Sequence, residues 1–254
     1  MCTHVLIIKY LLTIKFYISM WLINSSIGRK VVMSVTGIAL ILFLTFHCGM
    51  NIVALFSKDA YNMICALLGT NWYALAGTLG LAALAAFHIV YAFILTAQNR
   101  KARGKDRYDI TSKPSKVEWA SQNMLVLGLI ILLGLVLHLA NFWYNMMFAE
   151  LMGWEDLAYG PKDGFAWIKE TFSCPILVGL YIVWFVALWF HLAHGFWSAM
   201  HTLGISGKIW QKRWNAIGLI YVTLLMLGFA AVVLAFAFGC APSLCDGSCI
   251  HSCS

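Results

Sequence analysis

The chain has 254 residues, of which 62% are hydrophobic and 11% are charged, and its mean hydropathy is +0.82. A soluble domain carries about 25% charged residues, so this composition excludes a soluble globular protein. The net charge of +7 does not indicate nucleic-acid binding, because basic residues in a membrane protein chiefly set its orientation. We predict an all-α, polytopic membrane protein that binds no nucleic acid.

The N-terminal lead-in, residues 1–27, is apolar but is interrupted by Lys9 and Lys15. It could be an amphipathic helix lying at the membrane interface. We favour a native start at Met20, with residues 1–19 not native, because "MWLINSSIGRK" alone supplies a short polar and basic entry to the first span. No small-residue cleavage site follows the first apolar stretch, so a cleavable signal peptide is not predicted.

Five apolar stretches follow, and each is long enough to cross a membrane. A transmembrane helix needs about 18–20 mainly apolar residues, and these stretches hold 27 to 31. We therefore predict that residues 28–239 form a bundle of five transmembrane helices. The predicted spans are residues 28–56, 72–98, 118–148, 174–202 and 213–239.

The loops between the spans differ in charge. Loops 99–116 and 203–213, together with the Arg29–Lys30 pair, carry twelve Lys and Arg residues, whereas the opposite loops 57–71 and 149–173 carry three. This asymmetry predicts that the N-terminus lies in the cytoplasm and the C-terminus outside. We expect the membrane to be a bacterial inner membrane. The outer loop 149–173 is acidic and rich in Trp, and we expect it to form a partly ordered cap.

Residues 240–254 are a cysteine-rich external tail. Its spacing, "CAPSLCDGSCIHSCS", is loose for a metal site because it lacks a paired CxxC. Disulfides are allowed on the outer face of the membrane. We favour a disordered tail without a catalytic role.

Histidines occur inside four of the five spans. Depth counted from the outer end of each helix puts His47 and His138 about 15–18 Å inward, and His88 and His191 about 24–26 Å inward. The histidines therefore form two depth-matched pairs, one joining spans one and three and the other joining spans two and four. Histidine is costly inside a membrane and usually marks a functional site there.

Two neutral imidazoles that face each other across a helix bundle can hold a haem iron. Glycines on the span surfaces would let a flat macrocycle approach: Gly37, Gly49, Gly77, Gly80, Gly128, Gly134 and Gly195. The alternative is that each histidine hydrogen-bonds a polar group on the next helix. The depth-matched pairing favours haem ligation by His47, His88, His138 and His191, which would be both cofactor-binding and iron-binding residues.

The fourth span carries two further histidines in "WFHLAHGFWSAMHTLG". A haem pair needs only one histidine from this helix. We assign ligation to His191 and predict that His194 lies beside the haem as a hydrogen-bond donor or a propionate neighbour. His201 lies near the cytoplasmic interface, where a hydrated histidine needs no ligand.

Four stretches together resemble the dihaem cytochrome b membrane anchor of succinate:quinone oxidoreductases and quinol:fumarate reductases. They are "GRKVVMSVTGIALILFLTFHCGMN", "AAFHIVYAFILTAQNRKAR", "LGLVLHLANFWY" and "FHLAHGFWSAMHTLG". The resemblance covers residues 21–239 and implies two b haems. His47 and His138 would ligate the distal haem, and His88 and His191 the proximal one. The "SVTG" stretch resembles a haem-side serine turn and suggests Ser34 as a neighbour of the haem.

The resemblance further implies an electron-transfer subunit of an enzyme complex, whose dicarboxylate site lies on a partner. A flavoprotein subunit and an iron–sulfur subunit would dock on the cytoplasmic face, and a membrane quinone, with menaquinone favoured, would exchange electrons with the haems. One departure matters. Some family members carry a glutamate two residues before the fourth-span histidine, where this chain has Trp189, so a proton path through that helix is not expected.

Two alternatives remain open. The first is a haem b anchor of a hydrogenase or formate dehydrogenase, which also holds bis-histidine haems in a small bundle but distributes its histidines differently. The second is a divalent-metal transporter, which would normally have carboxylates beside its histidines, broken helices and internal repeats. Asp and Glu are absent from the span interiors, and this disfavours the transporter.

Overall fold

The structure is a computed structural model that describes residues 25–69, 71–103 and 119–244. Over these residues the chain is helical and contains no strand, and five helices are long and apolar enough to cross a membrane. The all-α, multi-pass class predicted from the sequence is confirmed at this level. The lead-in up to residue 24 and the tail from residue 245 lie outside the described residues.

The described residues form nine α-helices, one π-helical segment and one 3₁₀ turn. In chain order they are α1 (Ser26–Phe56), α2 (Lys58–Leu67), α3 (Trp72–Arg103), α4 (Trp119–Gln122), α5 (Met124–His138), a π-helical segment (Leu139–Phe148), α6 (Ala149–Met152), α7 (Gly164–Ser173), α8 (Pro175–Thr202), α9 (Trp210–Ala237) and a 3₁₀ turn (Pro242–Leu244). The five candidate spans are α1, α3, the α5–α6 stretch Met124–Met152, α8, and α9 with its C-terminal extension.

The span ends differ from the prediction by a few residues, and local chemistry explains the differences. Helix α1 begins at Ser26 because the Ser25 side chain caps it, accepting a hydrogen bond of 2.9 Å from the Gly28 amide. Helix α3 continues to Arg103, five residues beyond the predicted end. Basic residues are favourable in the last turn of a helix, and Arg100 and Lys101 lie there.

The third span is not the uninterrupted α-helix that its hydropathy predicts. Immediately after His138 the backbone widens into the ten-residue π segment. Within this segment, the Asn145 side-chain amide donates to the Ala140 carbonyl at 3.2 Å and to the Asn141 carbonyl at 3.0 Å. These carbonyls lie five and four residues before Asn145. Such π segments are rare and frequently occur at functional sites.

Helix α8 lies at the centre of the bundle. It packs against α1, α5 and α9, and α1 also packs against α9. The core between them is aromatic and aliphatic, and it includes Tyr181, Phe185 and Leu188 of α8 with Val222 and Phe229 of α9. Helix α3 packs chiefly against α1. Two pairs of spans therefore make no extensive contact: α1 with α5, and α3 with α8.

Helices α2 and α7 pack together at one end of the bundle, which we call the capped end. Asn62 on α2 donates to Asp163 Oδ1 at 2.8 Å and accepts from the Phe165 amide at 3.0 Å, so it joins the two helices. Burial raises the pKa of the Cys65 thiol to about 11 and raises the pKa of the neighbouring Tyr61 hydroxyl. Both side chains are therefore neutral at physiological pH.

Candidate functional site

His47 and His138 meet across the gap between α1 and α5. Their ring centres are 5.7 Å apart and the ring planes are nearly perpendicular, at 86°. The helices that carry them make no extensive contact, so the imidazoles bridge a space that the backbones leave open. The structure thus brings together the first pair that depth counting predicted. Iron ligation by these residues stays a prediction.

Aromatic side chains surround this pair. Phe43 stacks on His47 at 5.5 Å between ring centres, and Phe229 lies 5.9 Å from the same imidazole. Around His138 the ring centres of Phe142, Tyr181 and Trp184 lie 5.2, 6.3 and 5.7 Å away. The pair is therefore enclosed by rings from α1, α8, α9 and the π segment, and these rings shield it from water.

One polar contact reaches His47 from the capped end. The Asn51 amide nitrogen donates to the His47 carbonyl at 2.8 Å and lies 3.4 Å from His47 Nε2. The Asn51 oxygen accepts from Tyr61, at 3.3 Å, so the amide also ties α1 to α2. Ligation through Nε2 would require the imidazole to turn away from this amide. The loss is small, because 3.4 Å is already long for a hydrogen bond.

His88 and His191 form the second predicted pair, between α3 and α8. The His88 ring rests on α1, where Thr36 Oγ1 is 2.9 Å from His88 Nδ1. A Cβ atom built on Gly37 would be 3.6 Å from His88 Cε1, which is ordinary contact. Glycine at this position therefore allows the imidazole to lie close against the α1 backbone.

The two pairs lie at different levels of the bundle. On α1, Thr36 contacts His88 and lies eleven residues before His47, a rise of about 16 Å. On α8, Trp184 contacts His138 and lies seven residues before His191, a rise of about 10 Å. Depth counting gives a separation of roughly 6–11 Å, so the rise on α8 falls within the counted range and the rise on α1 exceeds it.

The remaining predicted residues lie as follows. His194 is half-buried, and its ring centre lies 6.4 Å from that of Trp197. His201 is exposed, and its ring stacks on Trp197 with 5.7 Å between the ring centres. Ser34 donates to the Lys30 carbonyl at 2.9 Å. The "SVTG" stretch is a part of helix α1 and not a turn. Thr36, two residues after Ser34, is the hydroxyl that faces a histidine.

Thr36 and Asn51 were missed from the sequence. Eleven residues are just over three full turns, so Thr36 shares a face of α1 with His47, and that periodicity was the available signal. The predicted role of the span glycines beside a macrocycle stays a prediction. Gly134 faces Trp184 and Gly37 faces His88, whereas an added Cβ would meet nothing within 4 Å at the other five predicted positions.

Trp189, at the position where some members of the resembled family carry a glutamate, donates to Thr223 at 2.9 Å and joins α8 to α9.

Comparisons with protein-family models, curated proteins and solved structures find no match to this chain. The site must therefore be judged on its own geometry.

That geometry fits a group held by two imidazoles. An iron between two imidazole nitrogens, with metal–nitrogen bonds of about 2 Å, places the ring centres roughly 6 Å apart, close to the 5.7 Å between His47 and His138. The described residues contain no group of three or more His, Cys, Asp or Glu that could hold a metal ion. A haem needs only two protein ligands, because the macrocycle supplies the other four.

The described part of the chain also shows how each imidazole is held. His88 is hydrogen-bonded through Nδ1. By contrast, the Nδ1 atoms of His138 and His191 are buried without a hydrogen-bond partner. A metal-ligating histidine usually donates its second ring N–H to a neighbour. His138 is instead fixed by the rings of Phe142, Tyr181 and Trp184.

Proposed function

We propose that the chain is the membrane anchor and electron-transfer subunit of a succinate dehydrogenase or fumarate reductase complex, binding two b haems. The observation that carries this proposal is the approach of His47 and His138 across two spans that do not otherwise pack together. A histidine pair that only cross-linked the bundle would need no such gap between its helices. A planar macrocycle does need one.

The same argument applies to the second pair. Helix α3 packs chiefly against α1 and leaves its side towards α8 without extensive contact. His88 on α3 and His191 on α8 are the histidines that the depth count pairs across this gap. We assign the proximal haem to this gap and the distal haem to the gap between α1 and α5. When bound, each haem iron supplies one-electron redox chemistry.

The chain's own residues bind, orient and insulate these groups. The four histidines are half-buried. Phe43, Phe229 and Trp184 exclude water beside the distal pair. Among the described residues, the one ion pair is Lys162–Glu150, and its Glu150 lies at the capped end of the third span. The sites therefore hold neutral imidazoles in apolar surroundings.

We place the protein in a bacterial inner membrane, with the capped end outside and the basic loops in the cytoplasm. This follows from twelve basic residues on one side against three on the other. A flavoprotein subunit and an iron–sulfur subunit would dock on the basic side, nearer to the His88–His191 pair. Electrons would pass between that side and a membrane quinone, menaquinone being favoured, through the two haem sites in turn.

The test is haem content and composition of the purified complex. The full-length chain, expressed with its genomic neighbours and extracted in mild detergent, should carry two low-spin b haems by pyridine haemochrome assay. It should also co-purify with a flavin-containing and an iron–sulfur subunit. As a control, His201→Ala should keep both haems, because His201 is exposed and stacks on Trp197. A preparation with no haem removes the proposal, and a molybdenum or nickel partner changes the enzyme class.

A further inference from the structure

The Thr36 hydroxyl lies between α1 and α3 in a position that decides which nitrogen of His88 is available for ligation. Thr36 is 8% exposed. Its Oγ1 atom is 3.0 Å from the Val32 carbonyl, 3.1 Å from the Met33 carbonyl and 2.9 Å from His88 Nδ1. A hydroxyl has one proton to donate and two lone pairs to accept with, so the three contacts cannot all use its proton.

Counting hydrogen bonds identifies the proton positions. If Thr36 donates to His88 Nδ1, the hydroxyl makes this one hydrogen bond. The carbonyls of Val32 and Met33 then receive no hydrogen bond from the hydroxyl, although both lie close to it. If Thr36 donates to the carbonyls of its own helix, as threonine commonly does, its oxygen can also accept from a His88 Nδ1–H. The second arrangement makes one more hydrogen bond in a buried place, where each unsatisfied polar group is costly. It is therefore the preferred one.

We propose that Thr36 is a positioning residue for His88: it accepts the imidazole Nδ1–H and so leaves Nε2 as the unprotonated, ligating nitrogen. The ring is held from a second side by Gly37, because the absence of a side chain lets His88 Cε1 approach the α1 backbone. The Nδ1 atom of His191, across the gap, has no hydrogen-bond partner among the described residues. Of the two proposed ligands, His88 is therefore the one whose imidazole is oriented by a hydrogen bond.

This assignment rests on the proposed haem function, but it can be tested without haem. The full-length chain should be expressed without haem synthesis, labelled with ¹⁵N-histidine, and compared with Thr36→Val, which keeps the side-chain shape and loses the hydroxyl. His88, identified by the signal missing in His88→Gln, should carry its proton on Nδ1. That preference should weaken in Thr36→Val and persist in Thr36→Ser. An Nε2–H tautomer in the wild-type chain overturns the proposal even if the variant fails to fold.

The haem-loaded protein gives a second readout. Loss of such an outer hydrogen bond typically weakens metal binding about 10- to 100-fold, so Thr36→Val should release one of two haems that much more readily. The midpoint potential of that haem should shift upward, because a less basic imidazole stabilises the oxidised iron less. Thr36→Ser should restore both properties. The matched control is Thr96→Val on α3, whose hydroxyl bonds only the Ala92 carbonyl of its own helix, at 2.8 Å.

The two proposals fail in different ways. A wild-type chain that takes up no haem removes the proposed function, while the tautomer measurement still decides the role of Thr36. A wild-type chain with two haems, and a Thr36→Val variant indistinguishable from Thr96→Val in haem affinity, midpoint potential and tautomer, removes the role of Thr36 alone.

Discussion

Replacing Gly134 by alanine tests whether the wall of the His47–His138 site is as closely packed as the structure shows. A Cβ atom at Gly134 would lie 2.1 Å from Trp184 Cδ1, whereas ordinary contact begins at 3.4 Å, so the indole must retreat by about 1.3 Å. The same indole donates to the Ile131 carbonyl at 3.1 Å and packs against His138 at 5.7 Å. The substitution therefore disturbs both the α5–α8 interface and a histidine.

The expected cost combines two terms. Overpacking of a well-filled interior costs about 1–3 kcal/mol, and the strained or lost hydrogen bond adds about 0.6 kcal/mol inside a membrane. Gly134→Ala should therefore destabilise the fold by about 2–3 kcal/mol. The measurement is thermal or denaturant unfolding of the purified chain in detergent, together with the visible spectrum of the haem assigned to His138.

Gly128→Ala is the matched control, because it lies on the same helix α5 and an added Cβ there meets nothing within 4 Å. It should be neutral or slightly stabilising, since alanine is the better helix former. In Gly134→Ala one haem signal should broaden or shift while the other is retained. If Gly134→Ala unfolds at the same temperature or denaturant concentration as Gly128→Ala and its visible spectrum is unchanged, the Trp184 indole does not pack against Gly134.

Three histidine variants test which residues ligate the proposed proximal haem. His191→Ala should lose one haem or make it high-spin, and His88→Ala should give the same spectrum, because we propose that these two residues ligate one iron. His194→Ala should keep two low-spin haems with a shifted midpoint potential. Loss of a haem in His194→Ala with a normal His191→Ala would reverse the assignment. Cys65 should resist alkylation at neutral pH, because burial holds its pKa at about 11 and only the thiolate reacts. Its rate should rise steadily up to about pH 11, and rapid reaction at pH 7 would contradict the packing of Cys65 against Gly164.

The span architecture could be predicted from sequence because hydropathy over about 20 residues reports burial in lipid directly. The pairing of His47 with His138 was also predictable, since residues at equal depth on neighbouring helices can meet. The π segment after His138 was not predictable, because it depends on which preceding carbonyl each backbone amide bonds. No hydropathy pattern carries that choice.

The contacts around His88 could not be predicted from the sequence for a related reason. Ser34 and Thr36 are both small hydroxyl residues on α1, two positions apart and about 200° around the helix. Only one of them can face α3, and the rotation of α1 against α3 decides which one. That rotation is set by packing over the whole interface. The sequence therefore indicated the right stretch of helix and the structure identified Thr36.

The measurement that tests the central claim most directly is a redox-titrated visible spectrum of the purified full-length protein with a quantitative haem assay. Two imidazole pairs, on α1 with α5 and on α3 with α8, predict two low-spin b haems per chain that titrate as two separate one-electron steps. One haem per chain would leave only one pair with a ligand role. A haem-free chain that is folded and inserted in the membrane would contradict the account.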